Sequence, residues 1–168
     1  MKFLFTLLML VSLPLSASDE WDDVQHSLSS PAEITVYRSP NCQCCHKWIQ
    51  HLKKHHFTVI DKVTHNLAAV SARKAVPTVM HSCHTAVVNG YLIEGHVPAN
   101  DIKRLLTEKP PVKGLSVPRM PVGTPGMEMG TKKDNFTVIS FDEDNQFRVF
   151  NRYEVGPDQQ YHQVPSEE

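Results

Sequence analysis

The stretch from residue 33 to residue 108 alternates short β-rich runs with segments whose apolar residues recur at helical spacing. The β-rich runs cover residues 34–38, 57–60, 85–88 and 91–94, and the helical segments cover about 43–55, 66–73 and 99–108. Asn89-Gly90 separates the last two runs and is a strong signal for a two-residue β-hairpin turn. The resulting order, β-α-β-α-β-β-α, predicts an α/β fold of the thioredoxin-like type.

This fold makes a specific prediction about the cysteines. A right-handed crossover makes the first two strands parallel, and the loop after the first strand then lies beside the loop that enters the third. Cys42, Cys44 and Cys45 stand at the predicted start of the first helix, and Cys83 precedes the third strand. We therefore expect the first three cysteines to face Cys83 and its neighbours.

Residues 1–18 have the pattern of a secretory signal peptide. A positive start precedes an apolar run from 3 to 15 and three small residues, which fits cleavage after Ala17 or Ser18. The run is shorter than the stretch of about 20 residues that crosses a bilayer, so we expect no stable membrane insertion after cleavage. The expected compartment is oxidising and extracytoplasmic, and thiols there are paired, metal-bound or redox-active.

The length of 168 residues is that of one domain. We expect a signal peptide (1–18), a polar N-terminal tail or short helix (19–32), a thioredoxin-like domain (33–153) and a mobile polar tail (154–168). Inside the domain, the segment 109–130 is rich in Met, Pro and Gly and is predicted to have no regular structure. The β-rich runs within 136–150 predict an added C-terminal hairpin.

The composition excludes some partners and points to metals. Lys and Arg (17) nearly balance Asp and Glu (18), so the formal net charge is −1 and gives no reason to expect binding to nucleic acid. The ten His, four Cys and six Met are more informative, because these side chains bind soft and borderline transition metals. The sequence contains no phosphate-binding glycine loop, zinc-protease motif or serine-hydrolase elbow, so no enzyme class is assigned.

The central motif is CQCCH at residues 42–46. Cys42 and Cys45 have the C-x-x-C spacing of a redox pair, in which the helix N-terminus stabilises a thiolate. Cys44 is a third thiol that a dithiol catalyst does not need, and thiolates within one turn can surround Cu(I), zinc or an iron–sulfur cluster. Two alternatives remain open: structural disulfides, such as Cys42–Cys45 with Cys44–Cys83, and a four-thiolate structural zinc site.

Histidines extend the candidate metal site. His81 and His84 flank Cys83, and His46 directly follows the cysteine motif. We predict His46 and His84 as metal ligands, and we interpret His96 as a residue that makes a structural hydrogen bond. The histidines further along the first helix are expected to be solvated: His51, His55 and His56.

Three methionines lie close together in the Pro- and Gly-rich segment: Met120, Met127 and Met129. Methionine in a loop usually fills gaps in packing, but this segment has little other apolar content. Thioethers suit Cu(I), and disulfide formation does not consume them. We therefore predict these three methionines as additional copper ligands.

Four motifs in this order resemble the CopG-type family of bacterial periplasmic copper-resistance and metal-binding proteins. They are SP-x-C-x-CC at 39–45, SCHTAVV at 82–88, IEGHVPA at 93–99 and MP-x-G-x-PGME at 120–128. The resemblance covers about residues 33–153. Gln43, Arg119 and Thr124 stand where family members often have Gly, Gly and Ser, and none of these differences removes a ligand.

The resemblance implies a thioredoxin-like fold with a cysteine-bridged copper centre. By that similarity the thiolate ligands are Cys42, Cys44, Cys45 and Cys83, joined by His46, His84, Met120 and Met127. The function it implies is copper resistance in the periplasm, with binding of Cu(I) and cycling between Cu(I) and Cu(II). The implied partners are copper ions, several per protein, and periplasmic copper-handling or redox proteins.

Two other functions remain open at this stage. A thioredoxin-like thiol–disulfide oxidoreductase acting on periplasmic proteins fits the element order and the spacing of Cys42 and Cys45. It leaves Cys44 and the methionines unexplained. A disulfide-stapled binding module without metal accounts for the cysteines alone. The combined motifs favour the copper-binding function.

Overall fold

The computed structural model describes residues 20–164, so the predicted signal peptide and the last four residues of the predicted tail lie outside the described residues. Within residues 20–164 the chain forms three α-helices and eight β-strands. In chain order they are β1 (Glu33–Arg38), α1 (Gln43–Lys54), β2 (Thr58–Val63), α2 (Leu67–Arg73), β3 (His84–Val88), β4 (Tyr91–Glu94), α3 (Ala99–Glu108), β5 (Gly114–Ser116), β6 (Phe136–Phe141), β7 (Phe147–Val155) and β8 (Tyr161–Val164). Short 3-10 turns at Glu20–Asp22 and Thr78–Met80 complete the described part.

All eight strands belong to one mixed sheet with the order β2-β1-β3-β4-β5-β6-β7-β8. β1 and β2 are parallel, whereas β3 runs antiparallel to both β1 and β4. The predicted β-α-β-α-β-β-α order and the parallel pairing of the first two strands are therefore confirmed. β5 then pairs with β4 in parallel, and β6, β7 and β8 follow in antiparallel order.

Two segments predicted to lack regular structure contain strands, so those predictions are wrong. β5 lies inside segment 109–130 and pairs with β4 on one side and β6 on the other. It is too short to show the alternation that reveals a strand in sequence. The tail predicted from residue 154 contains the end of β7 and all of β8. Tyr161 at the start of β8 packs on Trp21 and Phe136, which are distant in sequence.

Two hydrophobic clusters cover the two faces of the sheet. Successive residues of a strand point to opposite faces, and β4 places Ile93 in the larger cluster and Leu92 in the smaller. The larger cluster joins α1 to α3 through residues such as Trp48 and Ile102, while the smaller cluster contains Phe141. α1 is thereby fixed with its N-terminus at one end of the sheet.

The hairpin between β3 and β4 forms where the sequence predicted it. Asn89 and Gly90 both have positive φ, 46° and 87°, as a type I′ turn requires. The turn sets the register in which Thr85 pairs with Glu94. This register matters for the site, because it determines which residues meet at the open end of the hairpin.

The C-terminal strands dock on α3 through a buried polar contact. Asp101 accepts hydrogen bonds from Asn151 Nδ2 and from the Tyr153 hydroxyl, both at 2.8 Å. Burial raises the pKa of the Asp101 carboxyl, and these two hydrogen bonds oppose the rise. The contact joins the added hairpin to the core. None of the helices in residues 20–164 has the length and apolar character needed to cross a membrane.

Candidate metal centre

The N-terminus of α1 carries three of the four cysteines. Cys42 is the N-cap residue, and its Sγ accepts a hydrogen bond from the backbone N–H of Cys45 at 3.3 Å. Cys44 and Cys45 lie in the first turn. The positive end of the helix dipole stabilises negative charge at these positions, which favours thiolates.

The four cysteine sulfur atoms form one cluster. They all lie within 4.8 Å of one another, as the sequence predicted. Cys42 and Cys45 are joined in a disulfide, whereas Cys44 and Cys83 are free thiols. Cys44 Sγ lies 3.5 Å from Cys42 Sγ. The second disulfide considered from the sequence, Cys44–Cys83, is therefore not formed in this structure.

Strand pairing explains why Cys83 joins the other cysteines. Arg38, the last residue of β1, pairs with His84, the first residue of β3. The chain leaving β1 toward Cys42 and the chain entering β3 through Cys83 therefore meet at the same end of the sheet. The backbone carbonyl oxygen of Cys83 lies 3.4 Å from Cys45 Sγ.

Two buried histidines form a second ligand group around Cys83. Its Sγ lies 3.3 Å from His84 Nδ1 and 3.1 Å from His96 Nε2, and this Cys–His–His group also has its ligand atoms within 4.8 Å of one another. The His84 ring packs on Trp48, with 4.3 Å between ring centres. Among the described residues, His84 Nε2 has no hydrogen-bond partner of good geometry, so this ring is held by its packing on Trp48 and by the contact of Nδ1 with Cys83.

Burial controls the protonation of this group. It lowers the pKa of His96 to about 4, and burial together with the nearby His96 lowers the pKa of His84 well below its usual value. Both rings are therefore neutral at neutral pH, which is the metal-binding form of imidazole. Burial, followed by the effect of Cys44, raises the pKa of Cys83 to about 12. In the metal-free protein Cys83 is a thiol, and a bound metal ion displaces its proton.

The hydrogen bond of His96 fixes which of its nitrogens faces the sulfur. Nδ1 lies 2.8 Å from the backbone carbonyl oxygen of Pro125. A carbonyl oxygen only accepts hydrogen bonds, so Nδ1 carries the proton and Nε2 turns its lone pair toward Cys83. Such a bond on the second nitrogen is the usual way in which proteins orient a metal-binding histidine.

The residues 120–130, here called the methionine loop, cover the N-terminus of α1. A Cβ atom at Gly126 would lie 2.7 Å from the Trp48 backbone nitrogen and 2.8 Å from the Cys44 carbonyl oxygen. Gly126 also has a φ of 85°, in the region that glycine adopts most readily. The loop therefore approaches the helix backbone more closely than a side chain would allow.

Glu94 supports the loop that carries Cys83. Its Oε2 accepts a hydrogen bond from the backbone N–H of Ser82 at 3.2 Å. Within residues 20–164, Oε1 is buried without a hydrogen-bond partner of good geometry. Burial raises the pKa of Glu94 to about 7, against smaller opposing effects of Thr85 and Ser82. The sequence analysis did not single out this residue.

The predicted ligands divide into those that the fold brings together and those that it does not. The residues brought together are Cys42, Cys44, Cys45, Cys83 and His84. Met127 is buried in the methionine loop, whereas Met120 and Met129 are 50% and 55% exposed. His46 is exposed on α1 with its Nε2 at 3.3 Å from Gln50 Nε2, and it belongs to neither ligand group of the described residues.

The prediction that His51, His55 and His56 are solvated is wrong for the first two. His51 is buried and its Nε2 accepts a hydrogen bond from the backbone N–H of Ala99 at 3.0 Å. His55 is buried and its Nε2 donates to the carbonyl oxygen of Trp21. His56 is exposed, as expected. The difference arises from tertiary contacts with α3 and the N-terminal turn, which the helical pattern does not reveal.

His96 is the candidate ligand that sequence reasoning missed. It makes the structural hydrogen bond that was expected, but only with one of its two nitrogens. The hairpin register contained the missing signal, because Thr85 pairs with Glu94. Two residues further along, the same register sets Cys83 opposite His96.

The donor set fits copper. Thiolates favour Cu(I), and imidazole tolerates Cu(II) as well, so the shared Cys83 links a sulfur-rich group to a mixed one. While Cys42 and Cys45 form a disulfide, they are not thiolates. The full four-thiolate group therefore exists only in the reduced protein.

Comparison with known proteins finds one family model and solved structures that match this chain. A family model described as "Protein of unknown function, DUF411" matches residues 80–127, which include Cys83, His96 and Met127. A solved structure titled "Copper resistance protein copG- Form 2" is 44% identical, covers 74% of this chain and 100% of its own, and has a TM-score of 0.72. The chain belongs to the CopG family.

A second CopG structure, "Form 1", is 45% identical, covers 74% of this chain and 98% of its own, and has a TM-score of 0.70. No curated protein matches. Membership in the CopG family confirms the resemblance carried by the four sequence motifs. The protein is a CopG-like copper resistance protein with a cysteine-rich candidate metal site.

Proposed function

We propose that this protein binds copper in the periplasm as part of copper resistance, with several Cu(I) ions held by the cysteines of a thioredoxin-like core. One observation carries the proposal. Four cysteine sulfur atoms and two buried imidazoles converge on one end of the sheet, with Cys83 common to both groups. Copper is the cargo of this site. The donor chemistry and the CopG relatives support the same metal.

Copper binding and disulfide formation use the same sulfur atoms. Joining the Cys42 and Cys45 thiolates in a disulfide releases two electrons, which dioxygen or a protein disulfide accepts. A periplasmic reductant that returns two electrons restores both thiolates. Copper loading is therefore expected to follow the redox state of this pair, and bound Cu(I) is expected to slow its oxidation.

Cys83, His84 and His96 supply the ligands for a change of copper oxidation state. Thiolate favours Cu(I), while neutral imidazole also tolerates Cu(II). Conversion of one Cu(I) to Cu(II) releases one electron, which dioxygen or a periplasmic redox partner accepts. We include this cycling in the proposal because the two ligand types meet at a single sulfur atom.

The three methionines differ in their burial, and only Met127 is buried. Met127 is buried in the loop that covers the N-terminus of α1, which supports a role as a thioether ligand. Met120, Met129 and His46 are exposed, and their role in copper binding stays a prediction from the sequence.

The periplasmic location rests on the leader sequence of residues 1–18. Its test is cell fractionation of a tagged chain, together with mass analysis of the new N-terminus. Processing after Ala17 or Ser18 and recovery in the periplasmic fraction are the expected results. Recovery of the unprocessed chain in the cytoplasm would contradict this part of the proposal.

The proposed function is tested in cells and in isolated protein. A strain lacking the protein should tolerate less copper, and the wild-type chain should restore tolerance. A chain with Cys42→Ser and Cys45→Ser should not restore it, although it should accumulate to the same level. Copper analysis of both proteins, isolated anaerobically with reductant, should show bound copper in the wild type and a marked loss in the variant.

A thiol–disulfide oxidoreductase acting on proteins is the second candidate. The observation in its favour is the Cys42–Cys45 disulfide at the N-terminus of α1. An insulin-reduction assay separates the two functions, because a dithiol catalyst needs Cys42 and Cys45 but not Cys44. Rapid insulin reduction that persists in a Cys44→Ser variant would favour the oxidoreductase.

A further inference from the structure

Trp21 connects the N-terminal turn to the loop that covers the metal centre. It belongs to Glu20–Asp22, outside the predicted domain, yet only 9% of its surface is exposed. Its indole Nε1–H donates a hydrogen bond of 2.9 Å to the carbonyl oxygen of Gly123 in the methionine loop. We propose that Trp21 is a positioning residue that holds the methionine loop over the copper-binding cysteines. As a statement about copper, this inference rests on the proposed function.

Short contacts link the Trp21 hydrogen bond to the metal centre. The backbone N–H of Gly123 donates to the Met127 carbonyl oxygen at 2.9 Å. Between these residues, Gly126 lies against the carbonyl of Cys44. A displacement at Gly123 therefore shifts the part of the loop that contacts the cysteine-bearing helix.

The same part of the loop orients His96. The carbonyl oxygen of Pro125 accepts the proton of His96 Nδ1 and thereby directs Nε2 to the Cys83 sulfur. If the loop moves away, the imidazole loses the bond that fixes its orientation. Trp21 therefore affects the orientation of His96 without contacting it.

Trp21 is itself held by contacts on several sides. Its carbonyl oxygen accepts a hydrogen bond from His55 Nε2. Its ring packs against Phe136, Tyr153 and Tyr161, with ring centres 6.0, 5.5 and 5.2 Å away. These contacts hold the indole in place independently of the methionine loop.

Tyr161 provides a second anchor for the same loop. Its hydroxyl lies 3.1 Å from the carbonyl oxygen of Val122 and 3.0 Å from that of Asp134, and its single proton is shared between these two acceptors. A Cβ atom at Gly123 would collide with this hydroxyl. The loop is thus held between Trp21 and Tyr161 on one side and α1 on the other.

Asp134 also holds the start of the loop, because the Val122 N–H donates to Asp134 Oδ2 and the Asp134 N–H donates to the Val122 carbonyl oxygen. Gly123, Gly126 and Gly130 all have positive φ, and no helix or strand includes residues 120–130. Backbone groups in such a segment depend on individual hydrogen bonds rather than on a ladder. Removing one donor should therefore loosen the loop while the sheet remains folded.

The first test uses metal-free protein in the disulfide form, whose free thiols are Cys44 and Cys83. Trp21→Phe keeps an aromatic ring but removes the indole N–H. Because a single hydrogen bond makes a modest net contribution, we expect Cys44 to react with iodoacetamide about fivefold faster than in the wild type. Peptide mass analysis assigns the modified cysteine.

Tyr153→Phe is the matched control. Tyr153 packs in the same aromatic cluster, but its hydroxyl binds Asp101 rather than the loop. It should leave the Cys44 rate unchanged even where it lowers the unfolding temperature. A wild-type rate in Trp21→Phe, or an equal rise in Tyr153→Phe, would overturn the proposal. If Trp21→Phe does not fold, replacement of Trp21 by benzothienylalanine serves instead, because it keeps a bicyclic ring and removes only the N–H that binds Gly123, and the same outcomes apply.

The second test measures copper. Reduced, Cu(I)-loaded wild type and Trp21→Phe are mixed with bathocuproine disulfonate, and the variant should release copper about fivefold faster. Equal release rates would contradict a role for Trp21 in copper retention. If the wild type binds no copper, the proposed function fails, while the alkylation rates of the metal-free protein still decide whether Trp21 holds the loop.

Discussion

His96 turns its Nε2 atom toward the Cys83 sulfur at 3.1 Å, while its Nδ1 atom is 2.8 Å from the carbonyl oxygen of Pro125. The two contacts have opposite requirements. The carbonyl needs a donor, so the proton stays on Nδ1, and the lone pair of Nε2 accepts from the Cys83 thiol in the metal-free protein. A metal ion that replaces this thiol proton meets a thiolate and an oriented imidazole together.

This relationship predicts that His96 is needed for binding of Cu(II). His96→Gln should weaken Cu(II) binding by more than about tenfold, because even residues that only orient metal ligands contribute that much. The change should also alter the thiolate-to-Cu(II) absorption band. His81→Gln is the matched control, since His81 contacts the Val76 carbonyl and lies outside both ligand groups of the described chain. Equal Cu(II) affinity in the two variants would contradict the prediction.

Cys44 distinguishes a metal cluster from a dithiol catalyst. Cys44→Ser should reduce Cu(I) loading as severely as Cys45→Ser, because the Cys44 sulfur belongs to the same four-sulfur group. It should leave the Cys42–Cys45 disulfide able to form. Copper analysis after anaerobic loading, with disulfide formation checked by thiol alkylation, measures both effects. Full copper loading in Cys44→Ser would show that this sulfur is not a ligand.

A substitution at Met127 separates the effect of its sulfur atom from the effect of its side-chain volume. Met127→Leu keeps the apolar volume of a buried side chain and should change the free energy of unfolding by less than about 1.5 kcal/mol. It should nevertheless change the Cu(I) affinity or the copper reduction potential. Met120→Leu is the control, because Met120 is half exposed, and it should have the smaller effect. Unchanged copper titrations and potentials in Met127→Leu would show that Met127 is a packing residue and not a copper ligand.

The buried His51 is expected to make the stability of the folded protein depend on pH. Burial, followed by the nearby His55, lowers the pKa of His51 well below its usual 6.5, and its Nε2 accepts from the Ala99 N–H. The unfolded chain therefore binds the His51 proton first as pH falls. The stabilising effect of neutral His51 is fully present above pH 6.5 and is lost as pH falls from there toward the pKa of the folded state.

His51→Gln places an acceptor oxygen where Nε2 stood and does not titrate. The metal-free variant should lose less stability than the wild type between about pH 7.5 and about pH 5. Urea unfolding at both pH values measures the loss of stability in each protein. Glu94 and Asp101 have raised pKa values and act on stability with the opposite sign. They are present in both proteins, so the difference between the two losses reports on His51. An identical loss in both proteins would contradict the assignment.

Local patterns predicted the helices that follow the cysteine motif. Asn66 caps α2, and α3 has the predicted limits, Ala99–Glu108. These elements carry their own capping residues or apolar spacing, so the sequence around each one is sufficient. The approach of Cys83 to the other cysteines followed from the order of the elements and the crossover rule.

Other features depend on contacts between distant residues, which explains why sequence patterns missed them. β8 is stabilised by pairing with β7 and by the packing of Tyr161 on Trp21. His51 is buried because α3 contacts it through Ala99, and His55 is buried because the N-terminal turn contacts it through Trp21. His96 is the exception, because the register of a two-residue hairpin already set it opposite Cys83.

The most direct test of the central claim compares Cu(I) binding in two redox forms of the same protein. Anaerobic titration is performed on the reduced chain and on the chain with the Cys42–Cys45 disulfide, and alkylation counts the free thiols in each. The reduced form should show four free thiols and bind several Cu(I) ions. The disulfide form, with free thiols only at Cys44 and Cys83, should lose most of this loading and regain it on mild reduction. Equal Cu(I) loading in the two forms would contradict the account, because the cysteine cluster would then not be the primary copper site.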